Sequence, residues 1–346
     1  MKYPGDDYIT QQLHISLTRK QFVNIAEFDH PSIDLNRSHW VFKADKDFHY
    51  QLENTDLFEE QSANSKFLLG LTTVEFNITD LCNRKCWMCP HHNEELFPNN
   101  NVFMELETVK NTVDNLKKNN YVGTIIFGSY GEPLLHPKIL EMIEYVSKNL
   151  PKCETNLITN GDRFIKGSIP GYGPFNAERL KSTGLTSMLI DCYDDDERLA
   201  KYLKEIKSLV GILDIEFYRR YYKTPTYLDR AGLMDPYTGK RPTYKHSFRK
   251  PVPCWYPITK SFIDYDGSIR ACCHNWERTL GSFGNVNDTA FSELWMHSES
   301  LNELRKSLIF NRTNSNKTCK HCSAAGLSRQ KKGIKIAELW KPILKV

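Results

Sequence analysis

The sequence predicts an α/β protein built on a parallel sheet, with a smaller cysteine-bearing segment after it. Three observations carry this reading. Between Thr72 and Tyr218 short β-branched runs alternate with helical periodicity, in units of roughly 30 residues. The alternation stops after Tyr221, and most of the ten cysteines fall into two groups, one on either side of that stop. Strand–helix–strand units of this kind demand right-handed crossovers and a parallel sheet. A doubly wound sheet and a barrel both satisfy the pattern, and in both the loops after the carboxyl ends of the strands form the site.

The elements follow in order. "TTVEFNITD" from Thr72 is β-branched and alternating, a strand that runs into the first cysteine group. Leu106, Val109, Val113 and Leu116 recur at helical spacing until "KKNN" ends the pattern. "VGTIIFG" is the second strand, and its loop "SYGEPLLHP" leads into a helix with Ile139, Leu140, Ile143, Val146 and Leu150 on one face. "ETNLITNG" is a third strand, "FNAERLKSTG" a helix closed by Gly184, and "TSMLID" a fourth strand. "DDERLAKYLKEIKSLV" is a helix with acid in its first turn, where the dipole favours it, and "ILDIEFY" is the fifth strand. No convincing sixth strand follows. The stretch after Tyr221, rich in Pro, Tyr and basic residues, reads as a linker. Beyond it "SFIDYDGSIRACC" forms a hairpin about Asp266-Gly267. A helix around Phe291 to Ile309 comes next, then "CKHC", then a basic, at most amphipathic tail. Residues 1–70 are polar, without a sustained period, and receive no role.

Composition narrows the chemistry. The 346 residues are 40% hydrophobic and 25% charged, an ordinary globular balance, and no run of eighteen apolar residues exists. The start "MKYPGDDYITQQL" has neither the basic opening nor the apolar stretch of a secretory signal, so the expected location is the cytoplasm. Thiols clustered in that compartment bind metal or do chemistry more often than they form disulfides. A net charge of +4 does not by itself point to nucleic acid or a membrane surface, and neither partner is expected.

"DLCNRKCWMCPHH" places Cys82, Cys86 and Cys89 within eight residues. Four thiolates close the coordination of a zinc ion or a cubane iron–sulfur cluster, whereas three leave one corner for a small molecule. A zinc knuckle completed by His91 or His92 is the alternative. The C-x3-C-x2-C spacing, on the loop after the first strand of a βα series, resembles the signature of the radical S-adenosylmethionine enzymes. That resemblance implies a partial, TIM-like (β/α) barrel of five or six parallel strands over residues 71–222, after an N-terminal extension of unknown role. It implies a [4Fe-4S] cluster on Cys82, Cys86 and Cys89 that binds S-adenosylmethionine (SAM).

Further motifs extend the resemblance. Gly131-Glu132-Pro133 stands where the family has an element that meets the amino group of the methionine moiety, with Tyr130 in place of the usual first Gly. Thr159 and Asn160 of "TNG" resemble another feature near the cofactor, although turn-forming residues alone would explain them. Asp191 falls where the ribose is usually met, and Met88 where the family more often carries an aromatic residue against the adenine. Cys192, beside Asp191, is a candidate hydrogen-atom donor; the plainer reading is a small packed residue.

Cys254, Cys272, Cys319 and Cys322 make a second set. With "GSIRACC" and "GNVNDTAFSELW" they resemble the SPASM and twitch auxiliary-cluster region, implying a second [4Fe-4S] cluster in a small C-terminal domain within residues 223–346. A structural zinc is the alternative. Cys273 competes with Cys272, but neighbouring side chains on a strand face opposite ways, so one alone can serve.

The resemblance implies reductive cleavage of SAM to a 5′-deoxyadenosyl radical and abstraction of a substrate hydrogen atom. A closed second cluster suits oxidation, and the expected reaction is that of an alcohol on a small molecule of sugar or aminocyclitol type. Modification or epimerisation of a ribosomally made peptide is the second expectation. A non-catalytic iron–sulfur protein is a third, using the basic linker that includes Arg219, Arg220, Lys240, Arg241, Lys245, Arg249 and Lys250. The reductant implied is of flavodoxin or ferredoxin type.

Overall fold

The computed structural model describes residues 65–165 except Met88, 170–206 except 193 and 195, 213–219, 230–235, 240–241, 253–310, 315–322 and 331–345, together with the backbone of residues 13–17. Several side chains on strands and helices lie outside the description, those of residues 192, 214–219 and 331–337 among them.

In chain order the elements are β1 (Leu13–Leu17), β2 (Thr73–Phe76), α1 (Leu106–Lys118), β3 (Thr124–Phe127), α2 (Ile139–Asn149), β4 (Glu154–Thr159), α3 (Ala177–Ser182), β5 (Ser187–Cys192), α4 (Asp196–Ile206) and β6 (Asp214–Arg219). The C-terminal third adds α5 (Tyr256–Thr259), β7 (Lys260–Ile263), β8 (Ile269–Arg270), α6 (Phe291–His297), α7 (Glu299–Phe310), α8 (Lys317–His321) and α9 (Lys331–Leu344). One sheet runs β1-β6-β5-β4-β3-β2-β7-β8 and does not close. Its six inner strands are parallel, and both edge strands are antiparallel. This is the partial barrel, and the helical periodicities of α1 to α4 fall where the sequence places them.

The strand alternation divides the sheet into two faces. Val74, Phe76, Ile125, Phe127, Leu157, Met188 and Ile190 join the main core with Val109, Val113 and Leu116 of α1 and Ile139, Ile143 and Val146 of α2. The opposite face carries Glu75, Ile126, Asn156 and Leu189, and is more polar.

Three features go beyond the sequence reading. The sixth parallel strand is β7, the first arm of the predicted hairpin, paired to β2 with Thr73 opposite Lys260. The sheet therefore runs across the sequence division at residue 223. The hairpin turn is as predicted, with Gly267 at φ +83° and its N–H donating to the Asp264 carbonyl at 2.9 Å. Secondly, the N-terminal extension supplies an edge strand: Leu13–Leu17 pairs with β6, Leu13 opposite Arg219. "LHISL" does alternate, but five residues between polar flanks are too few to stand out. Thirdly, the tail is not merely amphipathic. Arg305 of α7, fully buried, lies between the rings of Trp295 and Trp340 at 4.1 and 4.3 Å, so α9 is fastened to the C-terminal helices by stacking. The helix expected over Phe291 to Ile309 is two helices, parted at Ser298.

Candidate active site

The first cysteine loop leaves the carboxyl end of β2 and is held at several points. Asn99 grips Cys82 from both sides of its backbone, its Oδ1 accepting from the Cys82 N–H at 2.8 Å and its Nδ2 donating to the Cys82 carbonyl at 3.0 Å. The Cys89 N–H donates to the Cys86 carbonyl at 2.9 Å, closing the turn between the second and third thiols. Cys82, Cys86 and Cys89 are all half-buried. Burial raises the Cys82 thiol, and the charges of Glu132, Cys89 and Cys86 raise it further. Cys86 is pushed up to about 12 by burial and by Cys89, with Asp191 of β5 adding to the effect. The three thiols and Asp191 thus sit close enough to feel one another. A bound cationic cluster reverses this electrostatic balance and favours thiolates.

Neither histidine completes the set. His91 is buried, its Nε2 is 3.0 Å from the Tyr130 carbonyl, and burial lowers its imidazole to about 4. His92 places Nδ1 at 3.2 Å from the Lys85 carbonyl. Among the described residues no three His, Cys, Asp or Glu side chains gather on a point where one metal ion could sit. A cubane takes one thiolate at each corner and spaces them around a cage.

The loop after β3 docks on the cysteine loop. The Glu132 N–H donates to the Leu81 carbonyl at 2.8 Å, and a Cβ on Gly131 would lie 2.3 Å from the Thr79 carbonyl oxygen. Gly is required there because the two backbones touch. Glu132 is buried and accepts from the Leu134 N–H at 3.0 Å, the Thr159 hydroxyl at 2.6 Å and the Asn160 N–H at 2.8 Å. Burial nonetheless raises its carboxyl to about 7, against those three donors. The "GEP" and "TNG" motifs are therefore one structure, and Glu132 is no exposed loop carboxylate. Asn160 Nδ2 lies 4.0 Å from the Cys82 sulfur and donates to Asn83 Oδ1 at 2.9 Å. Pro133 opens a single turn of 3-10 helix. Cys192 ends β5 opposite Arg219, but its side chain, like Met88, lies outside the described residues.

Sequence reasoning misses two polar clamps around the loop. Asp162, just beyond "TNG", accepts from Arg84, Asn83, Arg198 and Tyr202. Burial opposes its charge, yet the Arg84 guanidinium holds the carboxyl below the usual range. Arg84 also reaches Asp194 at 2.7 Å. On the other side Arg278 donates to Asp80, two residues before Cys82, and to Asp264 at the end of β7, while Asn77 Nδ2 bonds both carboxylates at 2.9 Å. The signal was present only as charged residues inside and beside the motifs.

In the second cysteine set Cys254 is buried in the main core, and Cys272, Cys273 and Cys319 pack against it. The charges of Cys273, Cys322, Cys254 and Cys319 all act on the Cys272 thiol, after burial the main causes raising it. Cys273 also packs against the aromatic cluster that holds Trp276, and burial takes its thiol to about 12, with the charge of Glu75 raising it further. Buried polar atoms with no partner among the described residues cluster on the same segment: Trp255 Nε1, Asn275 Nδ2 and Trp276 Nε1. N–H donors left over on the segment that carries Cys254 and Cys272 fit a sulfur-rich acceptor such as an iron–sulfur cluster. An aromatic cluster of Phe97, Tyr130, Phe262 and Trp276 packs against Cys89 of the first set and against Cys273.

Comparison with known proteins agrees with this geometry. The family profile of the radical SAM superfamily matches residues 76–214, and that of the SPASM iron–sulfur cluster-binding domain matches residues 254–323. A SAM-dependent 2-deoxy-scyllo-inosamine dehydrogenase of Niallia circulans is 20% identical over 257 residues, spanning 72% of this chain and 92% of that protein. A UPF0026 protein of Helicobacter pylori is 28% identical over 138 residues, 38% of this chain and 42% of its own length. Among solved structures, BtrN in complex with AdoMet and 2-DOIA superposes with a TM-score of 0.58 at 18% identity, covering 76% of this chain and 97% of that one. At that identity the likeness is one of fold.

Proposed function

We propose that this chain, which belongs to the radical SAM superfamily and carries a SPASM iron–sulfur domain, oxidises an alcohol of a small polar molecule of sugar or aminocyclitol type. Cys82, Cys86 and Cys89 hold the [4Fe-4S] cluster that binds SAM, and Cys254, Cys272, Cys319 and Cys322 hold the auxiliary cluster. When bound, these groups supply a 5′-deoxyadenosyl radical that takes a hydrogen atom from carbon and an acceptor for the electron left behind.

The observation that carries the reading is the packing of the second cysteine set: Cys254 is buried in the main core, Cys272 and Cys319 pack against that core, and Cys273 also packs against the aromatic cluster around Trp276. Four protein ligands leave no iron free for substrate, which suits electron acceptance. An alcohol becoming a carbonyl loses one hydrogen as an atom from carbon and the other as a proton from oxygen plus one electron. The similarity over most of both chains to a dehydrogenase of an aminocyclitol supports the same outcome.

The chain's own residues fix the setting. Gly131 lets the "GEP" loop lie on the cysteine loop, Glu132 ties it to Thr159 and Asn160, and Asp191 stands one residue before the carboxyl end of β5, its charge acting on Cys86. The polar face of the sheet carries the Lys260–Glu75 ion pair at 2.5 Å and a relay in which Asn156 donates to Ser187 and Ser187 to Glu154, both at 2.7 Å. Side chains of this kind suit a ligand rich in hydroxyl or amino groups rather than an acyl chain.

A flavodoxin- or ferredoxin-type reductant in the cytoplasm completes the proposal, drawn by the basic linker. Of that linker Lys240 and Arg241 are described, and Arg241 pairs with Glu277 at 2.7 Å. The test is anaerobic incubation of the reconstituted protein with SAM, reductant and a panel of aminocyclitols and sugars. The expected product is two mass units lighter than its substrate, with one 5′-deoxyadenosine formed per product. Cleavage of SAM with peptides alone as competent substrates overturns the proposal.

A further inference from the structure

Asn275 follows Cys272 in the turn after the hairpin, and hydrogen bonds join it to two cysteine-bearing segments at once. Its backbone N–H donates to the Cys272 carbonyl at 3.2 Å. Its side-chain Oδ1 accepts from the Thr279 hydroxyl at 3.0 Å, and the Thr279 oxygen lies 3.2 Å from the hydroxyl of Thr318, the residue directly before Cys319. Thr279 has one hydroxyl proton and gives it to Asn275, so Thr318 donates to Thr279. The contacts therefore run from Cys272 through Asn275 and Thr279 to the first turn of α8, where the Cys319 N–H is itself held by Asn316 Oδ1 at 2.8 Å.

The other end of the amide is unmatched. Asn275 is 2% exposed, and its Nδ2 has no partner among the described residues. Thr279 is exposed, so the bonded Oδ1 marks the outer side of the amide and Nδ2 the inner. Buried amide donors are paired in folded proteins, which makes this one a donor held ready for a group still to come. Turning the amide over removes nothing: Nδ2 would then serve Thr279, and a carbonyl oxygen, which can only accept, would point inward beside thiolates. On that side Cys254 lies in the main core, with Cys272 and Cys319 packed against it.

We propose that Asn275 Nδ2 donates a hydrogen bond to the sulfur of the auxiliary cluster held by Cys254, Cys272, Cys319 and Cys322, raising that cluster's reduction potential. This rests on the cofactor reading above. A donor to sulfur stabilises the reduced, more negative state and makes the cluster a better electron acceptor. The Thr279–Thr318 bridge fixes the amide from the outside, so little side-chain freedom is lost when the bond to sulfur forms.

The test uses the full chain, reconstituted anaerobically, in a redox titration followed by electron paramagnetic resonance of the auxiliary cluster. Asn275→Leu keeps the volume and removes the donor. At the poise where the auxiliary cluster of the unsubstituted protein is half reduced, its ratio of reduced to oxidised form should fall by about fivefold, the size of one neutral hydrogen bond. An unchanged midpoint with about eight irons retained overturns the proposal and leaves the proposed reaction standing. A second measurement leaves Asn275 in place. Because Asn160 Nδ2 lies 4.0 Å from the Cys82 sulfur, it uses the chain with Cys82, Cys86 and Cys89 replaced by Ala, labelled with heavy nitrogen in its asparagine side chains. The pulsed spectrum of the reduced auxiliary cluster should show a coupled amide nitrogen, and a spectrum without one overturns the proposal. About four irons and one zinc in the unsubstituted chain overturns both the proposal and the cofactor reading.

Discussion

Arg84 and Asp162 lock the cysteine loop to the end of β4 by a two-point ion pair, Nε donating to Oδ2 at 2.7 Å and Nη2 to Oδ1 at 2.5 Å. Arg84 lies between Cys82 and Cys86, so the loop's own sequence carries its anchor. Asp162 is buried and holds a second guanidinium, that of Arg198 at 2.6 Å. Asp162→Ala removes a buried carboxylate shared by two guanidiniums, of which Arg84 keeps Asp194, and should cost about 3 kcal/mol. Arg84→Lys, which keeps the charge and loses the fork, should cost less. Chemical denaturation of the apo chain measures both; an Asp162→Ala protein as stable as the parent would show that the pair is idle.

Reconstituted protein should bind about eight irons, as two cubanes require. Replacing Cys82, Cys86 and Cys89 together with Ala should leave about half the iron and no cleavage of SAM. Iron analysis and 5′-deoxyadenosine assay read the two effects, and cleavage that survives the triple change would refute the site.

Cys272 and Cys273 should part company although they are neighbours. Cys272→Ala should lose the proposed auxiliary cluster, because Cys272 and Cys319 pack against the core that contains Cys254. Cys273→Ala should keep it, since Cys273 also packs against the aromatic cluster of Phe97, Tyr130, Phe262 and Trp276. Iron per chain and the low-temperature spectrum distinguish them, and the reverse pattern would exchange the assignments.

Glu132 makes stability depend on pH. Its folded pKa, raised to about 7, exceeds the ordinary value of 4.5, so the folded apo chain binds a proton that the unfolded chain releases. The contribution is intact below about pH 4.5 and is lost as pH rises through about 7, by at most about 3 kcal/mol. Glu132→Gln should flatten that part of the profile. A profile unaltered in the variant would place the titration elsewhere.

Cys192 is separated from a catalytic role by heavy water. If it donates hydrogen, the product gains one solvent deuterium, and Cys192→Ala abolishes that without stopping 5′-deoxyadenosine formation. For the oxidation proposed above, the expected product carries no solvent deuterium at the oxidised carbon, and the Ala variant still turns over.

Much of the fold was legible because its determinants are local. The alternation of strands and helices from Thr72 to Tyr218, the Asp266-Gly267 turn and the grouping of the cysteines each arise within a few residues, and periodicity reports them directly. What escaped was set by neighbours distant in sequence. β1 is too short to announce itself and gains its place by pairing with β6, and β7 reads as half of a hairpin until the sheet puts it beside β2. Arg84 meets Asp162 across 78 positions, and Arg278 meets Asp80 across 198, contacts that follow from the order of strands and from nothing in the flanking residues. Tyr130 looked like a mild departure from a motif; packing against Trp276, Phe262 and Phe97 made it a buried phenol. By itself the sequence determined which elements form and which residues can bind iron, since backbone preference and ligand chemistry belong to single residues and short spacings. Only the tertiary structure decided which strands pair, which carboxylates are clamped and which loops dock on the cysteine loop, because those depend on the stacking of strands whose neighbours in the sheet are far apart along the chain.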